Sequence, residues 1–320
     1  MIVDRDLFFK IQHKINNTPF NQTEQWLEGS SVGEFMYFAD NVECPHICCW
    51  GRVFVRKFIG KQLMIDGLSV SPAILPTEIN NFFSDIVSLR YSIIDVSDIS
   101  DYDPNFEIQI RQAGFLRPLG LTLCPLTLHV NLQKPFVFKR NWSRLVRKAI
   151  KHGISFVVVK KPTLEELTIF VNLFNQLAVR KNLRFNINAI NLLFLFKSDK
   201  YKLFFAKHNN GDFLSGRIIY ISNDIAYDTY AANSDIALQY GAAYFLQEKI
   251  LYFLKDLGVK KFDYGRISPS ADNMNNIYLA KSYSGGEPIQ YNGQWQYSKS
   301  QIIAFLYSFH SFFVNACRRF

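Results

Sequence analysis

The chain has 320 residues, 48% of them hydrophobic and 16% aromatic, which is enough apolar material for a substantial core and about two domains. This composition excludes a disordered chain. The formal net charge of +9 favours RNA, anionic lipid surfaces or phosphorylated metabolites as partners without choosing among them, and it is also compatible with no polyanionic partner.

The N-terminal segment and the cysteines bear on location and metal binding. Asp4 and Asp6 interrupt any signal-peptide pattern, and no stretch reaches the roughly 18 apolar residues of a spanning helix. The five cysteines favour a reducing compartment, so we predict a cytoplasmic protein, with the inner face of the membrane as an alternative. Residues 44–49 hold three cysteines and His46, but no second ligand pair is evident. We therefore expect idle thiols in a strand edge and no metal.

The first half of the chain reads as mixed α/β. Residues 52–58 and 62–65 are short β-like runs, and a helix is predicted near residues 76–89. Residues 125–132 alternate at period two, which predicts a strand leading out of this half.

A basic amphipathic helix follows a break at residues 133–135. Apolar residues recur at helical spacing, namely Trp142, Leu145, Val146, Ala149 and Ile150. The remaining positions are cationic, namely Arg140, Arg144, Arg147, Lys148 and Lys151. This cationic face could bind a diphosphate or an RNA backbone, or it could serve only solubility. Gly153 is a plausible C-cap, and residues 154–159 form an apolar run typical of a buried strand.

The next elements alternate between long helices and strands. Thr163 and Glu166 form a capping box that begins a helix ending near Lys181, and residues 192–197 predict a shorter helix. Strands are predicted at 202–207, 214–221 and 225–231, with a hairpin turn at 209–212. Residues 240–257 predict a second long helix, which ends at Gly258 and precedes a strand at 259–264.

This element order is that of an acyltransferase fold of the GNAT type, by analogy. We predict an α/β (α+β) protein of two GNAT-like mixed-sheet domains, at residues 1–140 and 141–320. Within the strand at 225–231, alternation predicts that Asp228 and Tyr230 share one face, opposite Tyr227 and Thr229. Asp228 could accept an amine proton or make a structural hydrogen bond to a tyrosine.

The last segment is apolar at near-helical spacing and ends in Arg318 and Arg319. Its apolar residues are Ile302, Ile303, Phe305, Leu306, Phe309, Phe312 and Phe313. We predict that it packs against the body of the protein, with peripheral contact to a membrane surface as the alternative.

Several segments, in order, resemble the FemABX family of non-ribosomal aminoacyltransferases, which build peptidoglycan cross-bridges. Residues 20–26 are similar to the family's motif of Gln, Ser or Thr, two residues of any kind, and Trp. Residues 145–154 resemble its basic helix, and residues 177–183 resemble its Thr-Ala-x-Arg-x-x-Phe helix end. The most specific similarity covers residues 230–246 and 262–265. Residues 277–286 resemble the family's Phe-Lys-x-x-Phe-Gly-Gly loop.

The resemblance implies an aminoacyltransferase that needs no bound cofactor. Its donor would be aminoacyl-tRNA, its acceptor a UDP- or lipid-linked muropeptide, and DNA would not be a partner. The resemblance gives Lys281 the role of stabilising the oxyanion or a substrate phosphate, although a solvated loop lysine is the plain alternative. We name Lys281 and Asp228 as candidate catalytic residues. The candidate substrate-binding residues are Arg147, Lys148, Lys151, Arg180, Tyr230, Asn233, Arg266 and Tyr283.

Some of these candidates have simpler explanations, and the chain departs from the family pattern. Arg180 could only complement a helix dipole, and Arg266 could only pair with Asp263. Ala280 and Ser284 stand where the family has Phe, which is expected to remove two rings from the acceptor groove. The coiled-coil arm of some family members is also absent from the sequence.

Two other functions remain open at this point. An acyl-CoA-dependent GNAT enzyme would hold pyrophosphate on a helix N-terminus, and residues 239–243 match that enzyme's motif except that the spacing is one residue short. A non-catalytic homologue that only binds cell-wall precursor is the second alternative.

Overall fold

The computed structural model describes residues 1–16, 18–30, 33–57, 59–119, 123–181, 186–269 and 277–317, with side chains up to Phe309 in the last segment. The chain divides into two compact units. The first comprises Met1–Glu24, Ser31–Leu126 and Ile289–Phe320, and the second comprises Gln25–Ser30 and Thr127–Pro288.

Helices and strands alternate along the chain. Up to residue 112 they are β1 (Ile2–Val3), α1 (Arg5–Gln12), a 3-10 turn (Phe20–Gln22), α2 (Glu24–Gly29), β2 (Glu34–Ala39), β3 (Ile47–Arg56), β4 (Gly60–Asp66), β5 (Ser69–Val70), α3 (Pro76–Ser88), β6 (Ile93–Asp101) and α4 (Pro104–Gln112). From residue 126 they are β7 (Leu126–Asn131), α5 (Arg140–Lys151), β8 (Ser155–Val159), α6 (Leu164–Arg180), α7 (Ala189–Leu195), β9 (Tyr201–Lys207), β10 (Phe213–Ser222), β11 (Ile225–Asn233), α8 (Asp235–Tyr240), α9 (Ala242–Asp256), β12 (Lys261–Asp263), α10 (Ile277–Ser282), β13 (Glu287–Ser298) and α11 (Gln301–Cys317).

The first unit is a mixed sheet with helices on its apolar face. Its strand order is β1-β2-β3-β4-β6-β13, with β5 paired to β3. The β4–β6 pair is parallel, and the others are antiparallel. Phe83 of α3 packs edge-on against Phe106 of α4 and against Phe115, beneath the inward residues of β4 and β6. Burial of these rings and aliphatic chains is the main stabilising contribution to this unit.

The second unit is also a mixed sheet, with the order β7-β12-β11-β10-β9-β8. Its β11–β12 pair is parallel, and the others are antiparallel. Alternate residues of β10 face opposite sides, because Gly216 lies against Phe170 of α6 whereas Ile219 packs in the core that α9 covers. The predicted mixed α/β class is confirmed by this arrangement.

The units differ from the predicted domains, residues 1–140 and 141–320, at both ends. β7 pairs with β12, so residues 127–140 lie in the second unit. β13 pairs with β6, so residues 289–320 return to the first unit. A hydrophobic pattern predicts that a strand forms, but it does not say which sheet the strand joins.

The predicted helix boundaries hold closely. Thr163 Oγ1 accepts a hydrogen bond from the Glu166 amide at 3.2 Å, and Glu166 Oε2 accepts one from the Thr163 amide at 2.8 Å, so the predicted capping box is present. The predicted helix at 240–257 is confirmed as α9 (Ala242–Asp256), and a shorter helix that was not predicted, α8, precedes it, with Gly241 between the two. Within the described residues, no helix is both long enough and apolar enough to cross a bilayer.

We expect Gly241→Ala to destabilise the protein far more than Gly258→Ala. Both glycines have a left-handed φ, +75° at Gly241 and +80° at Gly258. A Cβ added at Gly241 would lie 2.4 Å from the Leu145 carbonyl oxygen, whereas a Cβ added at Gly258 would have no atom within 4 Å. The expected loss in the free energy of unfolding is about 1 kcal/mol at Gly258 and about 2 to 4 kcal/mol at Gly241. Urea denaturation measures both values, and equal losses would contradict the close approach of α5.

Candidate active site

The second unit contains a cavity of about 400 Å³, a volume typical of small-molecule sites. Its wall comes from α5, α6, β10, β11, α8, α9, α10 and the adjoining loops. It is lined by Trp142, Leu177, Arg180, Lys181, Arg217, Ala231, Asn233, Leu238, Ala243, Tyr244, Gln247, Tyr264, Ile277, Ala280 and Lys281.

Two cations meet one buried carboxylate at the cavity wall. Lys281 Nζ lies 3.3 Å from Asp228 Oδ2, and the Arg217 guanidinium donates to the same oxygen. The side chain of Asp228 is 2% exposed, that of Arg217 8% and that of Lys281 18%. The trio therefore holds a net positive charge in a poorly solvated place, where it acts strongly on any charge that develops nearby.

Lys281 is held in position by the backbone and by a short chain of hydroxyls. Its ammonium donates to the Tyr264 carbonyl oxygen at 3.1 Å and lies 4.8 Å from the centre of the Tyr264 ring. The Tyr264 hydroxyl donates to Ser284 Oγ at 2.8 Å, and Ser284 Oγ donates to the Lys281 carbonyl oxygen at 2.7 Å. Burial lowers the pKa of Lys281, the Asp228 charge opposes this shift, and the Arg217 charge adds to it.

Asp228 and Tyr230 do not share a face of β11, so that prediction is wrong. Tyr230 pairs with Ile218 and Asp228 with Ile219, which leaves Thr229 as an extra residue in a β-bulge. Consecutive residues of β10 face opposite sides, and their partners do the same. Asp228 therefore faces Arg217, whereas Tyr230 stacks on Trp26 at 5.8 Å.

Three of the predicted residues, Lys281, Arg180 and Asn233, line the cavity. The Arg180 guanidinium pairs with Asp235 and donates to the Asn233 carbonyl oxygen at 3.2 Å. Asn233 Oδ1 accepts from Ser215 Oγ at 2.5 Å. Their side chains are thus oriented by protein contacts around the cavity.

Other predicted residues do not line this cavity. Arg147, Lys148 and Lys151 are exposed on α5, which reaches the cavity through Trp142 instead. Tyr230, Arg266 and Tyr283 are half-buried and are not among its lining residues either. Their substrate-binding roles stay predictions.

The two departures from the family loop have different surroundings. Ala280 lines the cavity, but Ser284 is fully buried and forms the link between Tyr264 and the Lys281 backbone. The expectation that both positions lie in an acceptor groove is therefore wrong for Ser284.

Sequence reasoning missed Arg217 and Gln247. The signal for Arg217 was a single charged residue in the apolar strand at 213–221, since a cation in such a strand needs a buried partner. Gln247 lies on α9, 2% exposed, at the wall of the cavity. Neither its Nε2 nor its Oε1 has a hydrogen-bond partner among the residues that the structure describes.

A buried amide without partners destabilises the ligand-free protein, and a ligand in the cavity could satisfy it. We expect Gln247→Leu to raise the free energy of unfolding by about 1 kcal/mol and to weaken ligand binding by on the order of tenfold. Gln12→Leu is the matched control, because the Gln12 amide donates to the Gln22 carbonyl oxygen at 2.9 Å and its loss should destabilise the protein. Thermal unfolding and equilibrium binding measure these changes. A Gln247→Leu variant with reduced stability would contradict the assignment.

The predicted thiols in residues 44–49 are buried at two positions, but they do not lie at an edge, because β3 pairs with β2 on one side and with β4 and β5 on the other. Cys48 and Cys49 are fully buried in β3, and burial raises the pKa of both thiols. Nearby, Asp40, His46 and Glu78 place one potential ligand atom each within 4.8 Å of one another. These groups already bond within the protein, since His46 Nδ1 lies 2.9 Å from Glu78 Oε1 and Asp40 accepts from the His46 amide.

Comparison with known proteins gives structural matches only. No protein-family model and no curated protein matches the chain. The chain is similar to the crystal structure of FemX, with a TM-score of 0.74, 13% identity and coverage of 96% of this chain and 98% of that one. It is also similar to L-PGS from Bacillus licheniformis, with a TM-score of 0.66, 14% identity and coverage of 95% and 96%. A tandem GNAT protein from the clavulanic acid biosynthesis pathway matches with a TM-score of 0.51, 11% identity and coverage of 92% and 93%.

These likenesses establish the fold. The chain has the FemX-like, GNAT-related architecture over nearly its full length, so the resemblance seen in the sequence is confirmed at the level of the fold. At identities of 11 to 14%, residue roles rest on the geometry of the cavity.

Proposed function

We propose that the second unit catalyses the transfer of an activated aminoacyl group to an amine, with aminoacyl-tRNA as the donor and a UDP- or lipid-linked muropeptide as the acceptor. The observation that carries this proposal is the Lys281 ammonium, which is held at the wall of the cavity by Asp228 and the Tyr264 carbonyl. The fold, shared with acyl- and aminoacyltransferases, supports the same reaction class.

The reaction requires a positive charge where the acyl oxygen becomes an oxyanion. A neutral amine attacks the carbonyl carbon of the aminoacyl ester. A C–N bond forms, and the π electrons of the C=O bond pass to the carbonyl oxygen, which becomes the oxyanion. Collapse of this intermediate breaks the ester C–O bond, and the proton lost by the amine balances the one gained by the donor's hydroxyl. Lys281 and Arg217 line the cavity and supply the fixed positive charge.

Asp228 acts through these cations. It is not among the lining residues, and both Lys281 and Arg217 stand between it and the cavity. We therefore propose it as a positioning residue, which keeps Lys281 charged and directed toward the acyl group. Its predicted role as a proton acceptor would require a path for the proton past the two cations.

The remaining wall would protect the ester from water. Ala231, Leu238, Ala243 and Ile277 make much of the lining apolar. An apolar lining favours attack by a bound amine over hydrolysis, because it offers few hydrogen-bond partners to water next to the activated carbonyl.

One contact argues against the acyl-CoA alternative. At the start of α9, the helix end that a GNAT enzyme would offer to pyrophosphate, the Leu145 carbonyl oxygen lies against Gly241. This oxygen carries a partial negative charge, which would disfavour a diphosphate there. Arg180 and Lys181 at the cavity instead suit the backbone phosphates of an RNA donor.

A transfer assay separates the three candidate functions. The full chain is incubated with radiolabelled aminoacyl-tRNA and a UDP-linked muropeptide, and separately with radiolabelled acetyl-CoA and the same acceptor. Label moving to the muropeptide amine from tRNA alone is the expected result. Label moving only from acetyl-CoA would assign the alternative donor, and muropeptide binding without transfer from either would indicate a non-catalytic homologue.

A further inference from the structure

A partly buried polar network connects the C-terminal helix α11 to the sheet of the first unit. The Gln62 side chain, 1% exposed, donates to the Tyr307 hydroxyl at 2.7 Å and to Asp95 Oδ2 at 2.5 Å. Arg56 Nε donates to Gln62 Oε1 at 2.9 Å, and Gln296 donates to Asp95 Oδ1 at 2.7 Å. Because the Gln62–Tyr307 hydrogen bond is directional and partly buried, it favours one rotation of α11 about its own axis.

This rotation leaves an apolar stripe pointing outward. The exposed fractions are 72% for Ile302, 63% for Phe305, 45% for Leu306 and 54% for Phe309. These positions have the i, i+3, i+4, i+7 spacing of one helix face, and Tyr307 lies on the opposite face. The helix thus has a hydrogen bond from the sheet to Tyr307 on its inner side and large, exposed apolar residues on its outer side. The prediction that this stretch packs against the body is correct for one side only.

We propose that this outward stripe is a docking surface for an anionic lipid bilayer, with α11 lying in the plane of the interface. A helix with Phe and Leu on one face suits the boundary between headgroups and acyl chains. The sequence from residue 299 to residue 320 contains no Asp or Glu, and it includes Lys299, Arg318 and Arg319. The net charge of the whole chain, +9, is also positive and therefore attracts the chain to an anionic lipid surface.

Charge also distinguishes a bilayer from a second copy of this chain. Two copies joined through α11 would bring like charges together in a segment without acidic residues. An anionic lipid surface offers the opposite charge and an apolar layer at once. Lipid docking does not depend on the transferase activity, although it would place the chain where a lipid-linked acceptor resides.

Vesicle co-sedimentation of the full chain tests this surface. The probes are vesicles of phosphatidylglycerol mixed with phosphatidylcholine, and vesicles of phosphatidylcholine alone. The chain is expected to bind the anionic vesicles, and Phe305→Ser/Phe309→Ser is expected to weaken that binding by about tenfold or more, because two aromatic side chains no longer enter the interface. Ile108→Ser, at a position 51% exposed on α4 of the same unit, is the matched control and should bind as the parent chain does.

Several results would overturn the proposal. The parent chain could fail to bind anionic vesicles, the double variant could bind them as well as the parent chain does, or Ile108→Ser could lose as much binding as the double variant. Sedimentation velocity adds one more. A dimer of the parent chain that becomes a monomer in the double variant would assign the stripe to self-association. Circular dichroism and thermal unfolding of each variant confirm that a loss of binding is not a loss of fold.

Discussion

Lys281→Met is expected to lower kcat for aminoacyl transfer by roughly a hundred- to a thousandfold while leaving the fold intact. Methionine keeps most of the side-chain volume but removes the ammonium that would face the oxyanion. The Arg217–Asp228 ion pair is retained, so thermal unfolding should change little. Single-turnover transfer from aminoacyl-tRNA measures the effect.

A matched control for this variant is Lys260→Met. Lys260 forms an exposed ion pair with Asp224 at 2.8 Å, and its side chain is 53% exposed. The loss of this lysine should leave transfer unchanged. An active Lys281→Met variant would remove the proposed role of the ammonium, even if the chain were shown to be a transferase.

The pH dependence of transfer gives a second measurement of the same residue. Burial lowers the pKa of Lys281, and the charged form is the one that stabilises an oxyanion. The rate of transfer should therefore fall as the pH rises, and this fall should begin at a lower pH than it would if the reaction depended on an exposed lysine. Asp228→Asn should move this fall to still lower pH, because the Asp228 charge is what raises the pKa of Lys281.

Asp228→Asn is expected to reduce the free energy of unfolding by about 3 to 5 kcal/mol and to reduce transfer as well. The substitution leaves two cations facing each other at the cavity wall, and the side chains of Arg217 and Lys281 are only 8% and 18% exposed. Their mutual repulsion is then no longer offset by a carboxylate. Urea denaturation at neutral pH measures the loss of stability.

Two further variants test the physical origin of that loss. Arg217→Met/Asp228→Asn removes one cation together with the carboxylate, so it should recover part of the stability without recovering transfer. Asp224→Asn breaks an exposed ion pair and should cost less than about 1 kcal/mol. If Asp228→Asn were as mild as Asp224→Asn, the charges around Asp228 would be better solvated than the structure indicates.

Local patterns predicted most helices and strands of the second unit. The capping box at Thr163 began α6, and Gly258 followed the end of α9, because these signals act within a few residues. The loop around Lys281 was found through its similarity to a family motif. The sequence therefore predicts three residues that line the cavity, Lys281, Arg180 and Asn233.

Other features of the site depend on contacts between distant residues. Alternation along β11 predicted that Asp228 and Tyr230 lie on one face of the strand, but the β-bulge at Thr229 puts them on opposite faces. Gln247 falls within a predicted helix, and only the tertiary structure shows that its amide is buried at the wall of the cavity. Ser284 was assigned to a groove, but its hydroxyl bonds to Tyr264.

The sequence by itself determined the fold class and most element positions, because helix caps, turn residues and hydrophobic periods are local properties of the chain. Only the tertiary structure decided which strands share a sheet, that Arg217 and Lys281 meet on Asp228, and that α11 turns its apolar face outward. These features arise from strand register, a bulge and a partly buried hydrogen bond between Gln62 and Tyr307, which are 245 residues apart in the sequence. A short-range pattern carries no information about contacts at that separation.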